Sequence, residues 1–77
     1  MKIITLNLNG IRSASRKGFF DWLSRQKADF VCLQELKAHE VDLDDQMKSP
    51  KGYFGNFSYA NKKGYSGVGI YSKEKPN

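Results

Sequence analysis

The order of hydrophobic patterns in the first 35 residues is the feature that most constrains the fold. The alternating run at 3–8 (IITLNL), which has no breaker before Asn9-Gly10, predicts a β-strand. Aromatic residues at helical spacing within 15–27 predict an amphipathic helix, which Gly18 disfavours near its start. The apolar run at 30–33 (FVCL) predicts a second strand, buried on both faces as in a parallel sheet. The chain therefore begins with a predicted βαβ unit, whose crossover is right-handed in nearly all known cases.

The second half of the chain adds weaker signals of the same class. Residues 40–48 are acidic and predict either a short helix or an acidic loop. Two further strands are predicted at 53–59 and 67–72, and the Lys- and Gly-containing loop between them is typical of a hairpin. Phe19, Phe20 and Trp22 are interpreted as core residues that pack a helix on the sheet. We therefore expect an α/β fold.

The size and the cysteine content limit how such a fold can be stabilised. The 77 residues suffice for one small domain or for part of a larger one. Cys32 is the only cysteine and His39 the only histidine, which excludes an internal disulfide and a multi-cysteine zinc cluster. Cys32 lies in an apolar run and is interpreted as an inert core thiol. No apolar stretch is long enough to cross a membrane and no signal segment follows Met1, so we expect a cytoplasmic protein without membrane contact.

Charge is distributed in three blocks along the chain. The formal net charge is +5, with basic excess in residues 1–28 and 51–77 and acidic excess in 29–50. Two basic blocks around an acidic one are compatible with a polyanionic partner such as nucleic acid, and also with an ordinary solvated surface.

Polar residues follow the first two predicted strands where each strand ends. The carboxyl ends of parallel strands meet at one edge of a sheet, which brings Asn7 and Asn9 towards Glu35. A carboxylate assisted by amide oxygens suits a hard cation such as Mg²⁺. On spacing alone, a turn asparagine, a satisfied polar group and a solvated strand end are the simpler interpretation of these three residues.

Four ordered segments change this interpretation. Residues 1–12 (MKIITLNLNGIR) resemble the opening of the exonuclease III family of apurinic/apyrimidinic endonucleases. Residues 18–23 (GFFDWL), 29–37 (DFVCLQELK) and 63–73 (KGYSGVGIYSK) resemble the same family in the same order. The resemblance covers nearly the whole chain, and the GYSGV segment points to the DNA-repair branch of the endonuclease/exonuclease/phosphatase superfamily.

The resemblance implies a fold and a reaction. The family fold is a four-layer α/β sandwich in which two mixed sheets pack face to face with helices outside. Residues 1–77 would be the N-terminal part of one such domain, with the remainder absent. The family reaction is hydrolysis of the DNA phosphodiester 5′ to an abasic site, often with trimming of 3′ ends. The resemblance further implies Mg²⁺ or Mn²⁺ as the cofactor and DNA containing abasic sites or 3′ ends as the partner. It also implies that the full-length protein is a monomer.

The resemblance also implies roles for individual residues. Glu35 matches the metal-ligand glutamate, Asn7 the asparagine beside the metal and the attacked phosphate, and Asn9 a position close enough to assist the metal. The positions that match DNA-contacting residues are Arg12, Lys17, Gly64 and Tyr65.

Two departures from the family pattern limit what carries over. Leu36 stands where relatives usually have threonine. The remaining catalytic groups lie downstream in the family, so the general base is not expected among these residues, and the isolated chain is expected to be inactive. His39 lies in the wrong region for the catalytic histidine, and the acidic cluster 42–45 is interpreted as a solvated segment.

Two alternatives remain open from the sequence. One is a small α/β structural domain with incidental charge. The other is a non-catalytic nucleic-acid-binding module that uses Arg12, Lys17, Lys62, Lys63 and Tyr65.

Overall fold

Short helices pack on one face of a mixed four-stranded sheet in the computed structural model, which describes residues 1–60 and 66–74. The elements in chain order are β1 (Ile3–Asn7), α1 (Ile11–Arg16), α2 (Phe19–Ser24), β2 (Phe30–Gln34), a 3₁₀ turn (Glu40–Asp42), α3 (Asp45–Lys48), β3 (Phe54–Tyr59) and β4 (Gly67–Ser72). The α/β class and all four predicted strands are confirmed.

The strand order combines a parallel pair with an antiparallel hairpin. The order is β1-β2-β4-β3, with β1 and β2 parallel and β4 antiparallel to both of its neighbours. Ile3 pairs with Phe30 and Asn7 with Gln34, so the carboxyl ends of β1 and β2 lie side by side. The antiparallel pairing of β3 with β4 places β4 in the middle of the sheet. Residues 61–65 of the predicted hairpin loop lie outside the described residues.

The core lies between the sheet and the helices, around a fully buried Tyr71. Its ring packs against Phe20, Tyr53 and Phe57, with ring centroids 5.8–6.4 Å apart. Its hydroxyl donates to the carbonyl oxygen of Met47, which ties β4 to α3. Burial raises the pKa of the Tyr71 hydroxyl far above its ordinary value, so this group stays a protonated donor. Phe19 and Phe20 are buried core residues, as predicted.

The opposite face of the sheet is not covered by any described residue, and we call it the open face. Its exposed apolar residues are Ile3, Phe30, Phe54, Val68 and Ile70. The prediction that β2 is buried on both faces is therefore wrong for this chain: Val31 and Leu33 are buried, whereas Phe30 is 37% exposed. Cys32 alternates with the buried residues of β2 and is half-buried on the open face, so it is not an enclosed core thiol.

The first helical segment differs from its prediction. A single helix within 15–27 was expected, but α1 starts at Ile11 and is separated from α2 by Lys17 and Gly18. Gly18 has φ of 93°, a left-handed conformation that ends one helix and starts the next. The prediction that Trp22 is a core residue is wrong, because its side chain is 37% exposed and packs on the edge of the core through Phe19. No helix in residues 1–60 or 66–74 is long and apolar enough to cross a membrane.

Replacing Gly18 with alanine should lower the free energy of unfolding by about 1 kcal/mol, because an L-residue in the left-handed region costs about 1–2 kcal/mol. No atom outside the local chain lies within 4 Å of the added Cβ, so the backbone alone sets this cost. Chemical denaturation of a full-length protein carrying this chain measures it. Lys17→Ala, at an ordinary φ of −88°, is the control and should change stability by less than about 0.5 kcal/mol. Equal stability of both variants would contradict the prediction.

The acidic segment has structural roles that the sequence did not predict. Asp44 caps α3 by accepting a hydrogen bond from the Met47 amide at 2.8 Å. One oxygen of Asp42 accepts from the His39 amide at 3.0 Å, and the Asp42 side chain is only 12% exposed. The interpretation of the cluster 42–45 as a solvated segment is therefore wrong at Asp42, whose carboxylate is largely shielded, and agrees with the exposure of Asp44 and Asp45.

Candidate active site at the ends of β1 and β2

The parallel pairing of β1 and β2 continues past the ends of the two strands. The carbonyl oxygens of three successive residues, 34–36, accept hydrogen bonds from the backbone amides of Leu8, Gly10 and Ile11, each at 2.9 Å. The amide of Leu36 donates in turn to the carbonyl of Gly67 at the start of β4. The first turn, which follows β1, and the second turn, which follows β2, are thereby fixed relative to each other. We call the region formed by residues 7–11 and 34–37 the site edge.

Left-handed backbone conformations are concentrated at the site edge. Asn9, Glu35 and Lys37 have φ of 48°, 53° and 52°. Only one other non-glycine residue among those described, Lys27, has a positive φ. For Glu35 and Lys37 this conformation costs about 1–2 kcal/mol each, whereas asparagine adopts it more readily. Strain of this kind persists where the surrounding structure enforces it, often at functional sites. Leu36, between the two left-handed residues of the second turn, is fully buried and anchors that turn.

Asn7 and Glu35 are in direct contact at the site edge. The Asn7 side-chain amide donates to Glu35 Oε2, as strand parity and parallel pairing predicted for the proximity of these residues. The carbonyl oxygen of the Asn7 side chain is also held, because Oδ1 accepts a hydrogen bond from the backbone amide of Asn9 at 2.8 Å. Asn7 therefore links the two turns and directs the Glu35 carboxylate.

Lys37 is a member of the site that the sequence analysis did not single out. Its Nζ donates to Asn9 Oδ1 at 2.6 Å and lies 3.7 Å from Glu35 Oε1. Both the Lys37 and Glu35 side chains are about two-fifths exposed, so the pair faces solvent. The available signal was a cation two residues after the carboxylate, at the end of the segment 29–37. The left-handed backbone that brings the two side chains together was not readable from the sequence.

The donor chemistry of the site edge fits a hard divalent cation. Mg²⁺ takes oxygen ligands and often uses only one or two protein carboxylates, with water completing its shell. Glu35 supplies one exposed carboxylate whose direction is set by Asn7. The amide oxygens of Asn7 and Asn9 each accept one hydrogen bond and retain a further lone pair. Within the described part of the chain, no group of three or more His, Cys, Asp or Glu residues could hold a metal ion.

The predicted DNA-contacting residues are placed unequally by the structure. Arg12 reaches the site edge, because its guanidinium donates to the Lys37 carbonyl at 3.0 Å. Lys17 is exposed and lines, together with Asn7, Phe19 and Trp22, an open groove of about 430 Å³ beside β1. The four loop residues Lys62, Lys63, Gly64 and Tyr65 lie outside the described residues.

His39 belongs to a separate cluster with Tyr59 on β3. The two rings pack with centroids 6.4 Å apart. Burial, with a smaller contribution from the Glu40 carboxylate, raises the pKa of Tyr59. The structure thus gives His39 a packing role on β3 and a backbone contact to Asp42.

Two known proteins to which this chain is similar are named as nucleases. It is 43% identical over 77 residues to an exodeoxyribonuclease of Bacillus subtilis (strain 168), covering 99% of this chain and 29% of that protein. It is 42% identical over 78 residues to a DNA-(apurinic or apyrimidinic site) endonuclease of Dictyostelium discoideum, covering all of this chain and 21% of that protein. The chain thus spans less than a third of the length of these relatives.

A solved structure and a family model agree with these relatives. An AP endonuclease from Archaeoglobus fulgidus superimposes with a TM-score of 0.82 at 36% identity, covering 99% of this chain and 29% of that one. The model of the endonuclease/exonuclease/phosphatase family matches residues 4–77. A match over nearly all of the sequence, together with the same fold, shows that the chain belongs to the endonuclease/exonuclease/phosphatase family.

Proposed function

We propose that this chain is part of a metal-dependent DNA-repair nuclease that hydrolyses the phosphodiester bond 5′ to an abasic site. The observation that carries the proposal is the Asn7–Glu35 pair at the adjacent ends of two parallel strands. The relatives named for exodeoxyribonuclease and abasic-site endonuclease activity support the substrate class.

Glu35 is the residue that would hold Mg²⁺ or Mn²⁺. When bound, the metal supplies Lewis-acid stabilisation of the negative charge on the phosphate and the leaving oxygen. Asn7 keeps the carboxylate in a fixed direction, which lowers the reorganisation needed when the cation binds. Lys37 holds the Asn9 side chain and places a positive charge beside the position where the phosphate would lie. The general base is not assigned to any of these 77 residues.

The basic residues around the site edge would hold the DNA backbone. Arg12 and Lys17 are exposed cations near Asn7 and Lys37, where they could neutralise phosphates. Gly64 could donate its amide to a phosphate, and Tyr65 could pack on a sugar or a base. The affinity that phosphate contacts provide depends on the salt concentration and not on the DNA sequence. A repair enzyme that meets abasic sites in any sequence context requires this independence.

A cleavage assay on a full-length protein carrying this chain tests the proposal. The substrate is a 5′-labelled duplex with one tetrahydrofuran abasic analogue, and the control is the same duplex with an ordinary nucleotide at that position. We expect a nick immediately 5′ to the analogue, loss of cleavage on chelation of divalent cations, and recovery on adding Mg²⁺. DNA binding without cleavage at saturating Mg²⁺ would identify a binding module instead. Cleavage that persists with chelator would contradict the metal dependence.

A further inference from the structure

We propose that Arg12 is a positioning residue for the site edge, whose guanidinium holds the left-handed turn at 35–37 by binding the Lys37 carbonyl and bracing against Asp42. The inference rests on the proposed function of Glu35 as metal ligand. It adds a role that is independent of any phosphate contact made by Arg12.

Arg12 completes a series of hydrogen bonds between the two turns. The carbonyl oxygens of residues 34–36 are each bound by a backbone amide from residues 8–11. The next carbonyl in the series, that of Lys37, is bound instead by the Arg12 side chain at 3.0 Å. Helix α1 begins at Ile11, so the chain has turned away from the second turn by this point. The Arg12 side chain therefore supplies the hydrogen bond to the Lys37 carbonyl that no backbone amide of the first turn provides.

The carbonyl that Arg12 binds belongs to Lys37, whose side chain contacts the residues of the candidate site. Lys37 is left-handed, and its ammonium group contacts both Asn9 and Glu35. Residues 35–39 belong to no helix or strand, so no regular ladder holds the Lys37 backbone. Without the Arg12 bond, relaxation of Lys37 towards a favoured backbone conformation would move its ammonium group relative to Glu35. The Arg12 side chain is therefore coupled to the geometry around the carboxylate.

Asp42 fixes the other side of the guanidinium. Its Oδ1 lies 3.8 Å from Arg12 Nη1, while its Oδ2 accepts from the His39 amide. The Asp42 side chain is 12% exposed and the Arg12 side chain is 45% exposed, so the carboxylate is largely shielded from solvent while the guanidinium remains accessible to it. Arginine presents several donors in a rigid planar fork and can serve the carbonyl and the carboxylate together. A lysine keeps the charge that attracts phosphate but does not reproduce this fork.

The test separates positioning from phosphate contact with two variants of a full-length protein carrying this chain. Arg12→Lys keeps the charge and removes the fork. Asp42→Asn removes the bracing charge, keeps an oxygen for the His39 amide, and adds no phosphate contact. The affinity for Mg²⁺ alone is measured on the DNA-free protein, by calorimetry and by the NMR signal of the Asn7 side-chain amide. We expect each variant to raise the Kd for Mg²⁺ by about tenfold, as loss of a group that orients a metal ligand typically does.

Controls distinguish this effect from general destabilisation and from DNA contact. Arg16→Lys makes the same change at the end of α1, where no hydrogen bond or ion pair to a described residue involves the side chain, and it should leave the Kd for Mg²⁺ unchanged. Binding to abasic duplex in the presence of chelator should change by less than about threefold in Arg12→Lys, because the charge that releases counterions is kept. The double variant should bind Mg²⁺ no more weakly than the weaker single variant, because both changes act on Mg²⁺ through the same guanidinium.

Each outcome has a defined meaning. Parent affinity for Mg²⁺ in both single variants, or additive losses in the double variant, would overturn the positioning role. A parent protein that shows no saturable Mg²⁺ binding would instead overturn the proposed metal site, which is a separate failure. A raised Kd in both single variants with unchanged metal-free DNA binding supports the inference.

Discussion

Glu35→Ala should lower the rate of abasic-site cleavage by at least about a hundredfold in a full-length protein carrying this chain. Glu35 is the only carboxylate that the described residues place beside Asn7 and Lys37. A catalytic metal contributes several kcal/mol of charge stabilisation, and each 1.36 kcal/mol is about tenfold in rate. Single-turnover cleavage across a Mg²⁺ titration measures the loss. DNA binding in the presence of chelator should be retained, because the change removes a negative charge and no phosphate contact.

Two further variants define what the Glu35 result means. Glu35→Gln keeps an oxygen that can accept from the Asn7 amide, so it should retain the local structure and still lose cleavage. Glu40→Ala removes an exposed carboxylate from the same connecting segment and should leave the rate within about twofold of the parent. Cleavage by Glu35→Ala within about threefold of the parent rate would show that another group holds the metal, since metal contributions are far larger than that.

The isolated 77 residues should be marginally stable, prone to aggregate, and inactive as a nuclease. Five large apolar residues are exposed on the open face, and β1 and β3 are edge strands of the described sheet. In a four-layer sandwich this face would pack on the second sheet, and exposed strand edges recruit other chains. Thermal unfolding followed by circular dichroism, gel filtration and a cleavage assay measure the three properties. A cooperative monomeric transition above about 60 °C, or cleavage by the pure chain, would contradict this prediction.

A matched pair of substitutions tests whether the open face causes the aggregation of the isolated chain. Ile70→Thr keeps a β-branched residue at a position that is 46% exposed in this chain. It should slow aggregation of the isolated chain and destabilise a full-length protein by about 1–3 kcal/mol, because the hydroxyl would then be buried between sheets. Val41→Thr is the control, since Val41 is 87% exposed in the 3₁₀ turn and should have little effect in either protein. Equal effects of the two variants in the full-length protein would show that nothing covers the open face.

The elements that the sequence predicted correctly are those encoded by local periodicity. Alternation identified β1, and the apolar run identified β2 to within one residue of its end. The prediction for β4 matches its observed bounds, Gly67–Ser72. The proximity of Asn7 and Glu35 followed from the same level of information, because side-chain parity and the parallel βαβ connection are properties of neighbouring elements.

The remaining features depended on partners distant in sequence. Lys37 joins the site through its left-handed backbone conformation. Arg12 joins it through a hydrogen bond to the Lys37 carbonyl, 25 residues away in sequence. No local sequence pattern encodes either feature. The number of helices before β2 was set by the backbone conformation of Gly18, which composition alone left undecided. Burial of β2 on one face depends on what covers the sheet, which is a tertiary property. Hydrophobic periodicity thus determined which segments are strands and which face inward, while the tertiary hydrogen bonds of the two turns decided the geometry of the candidate site.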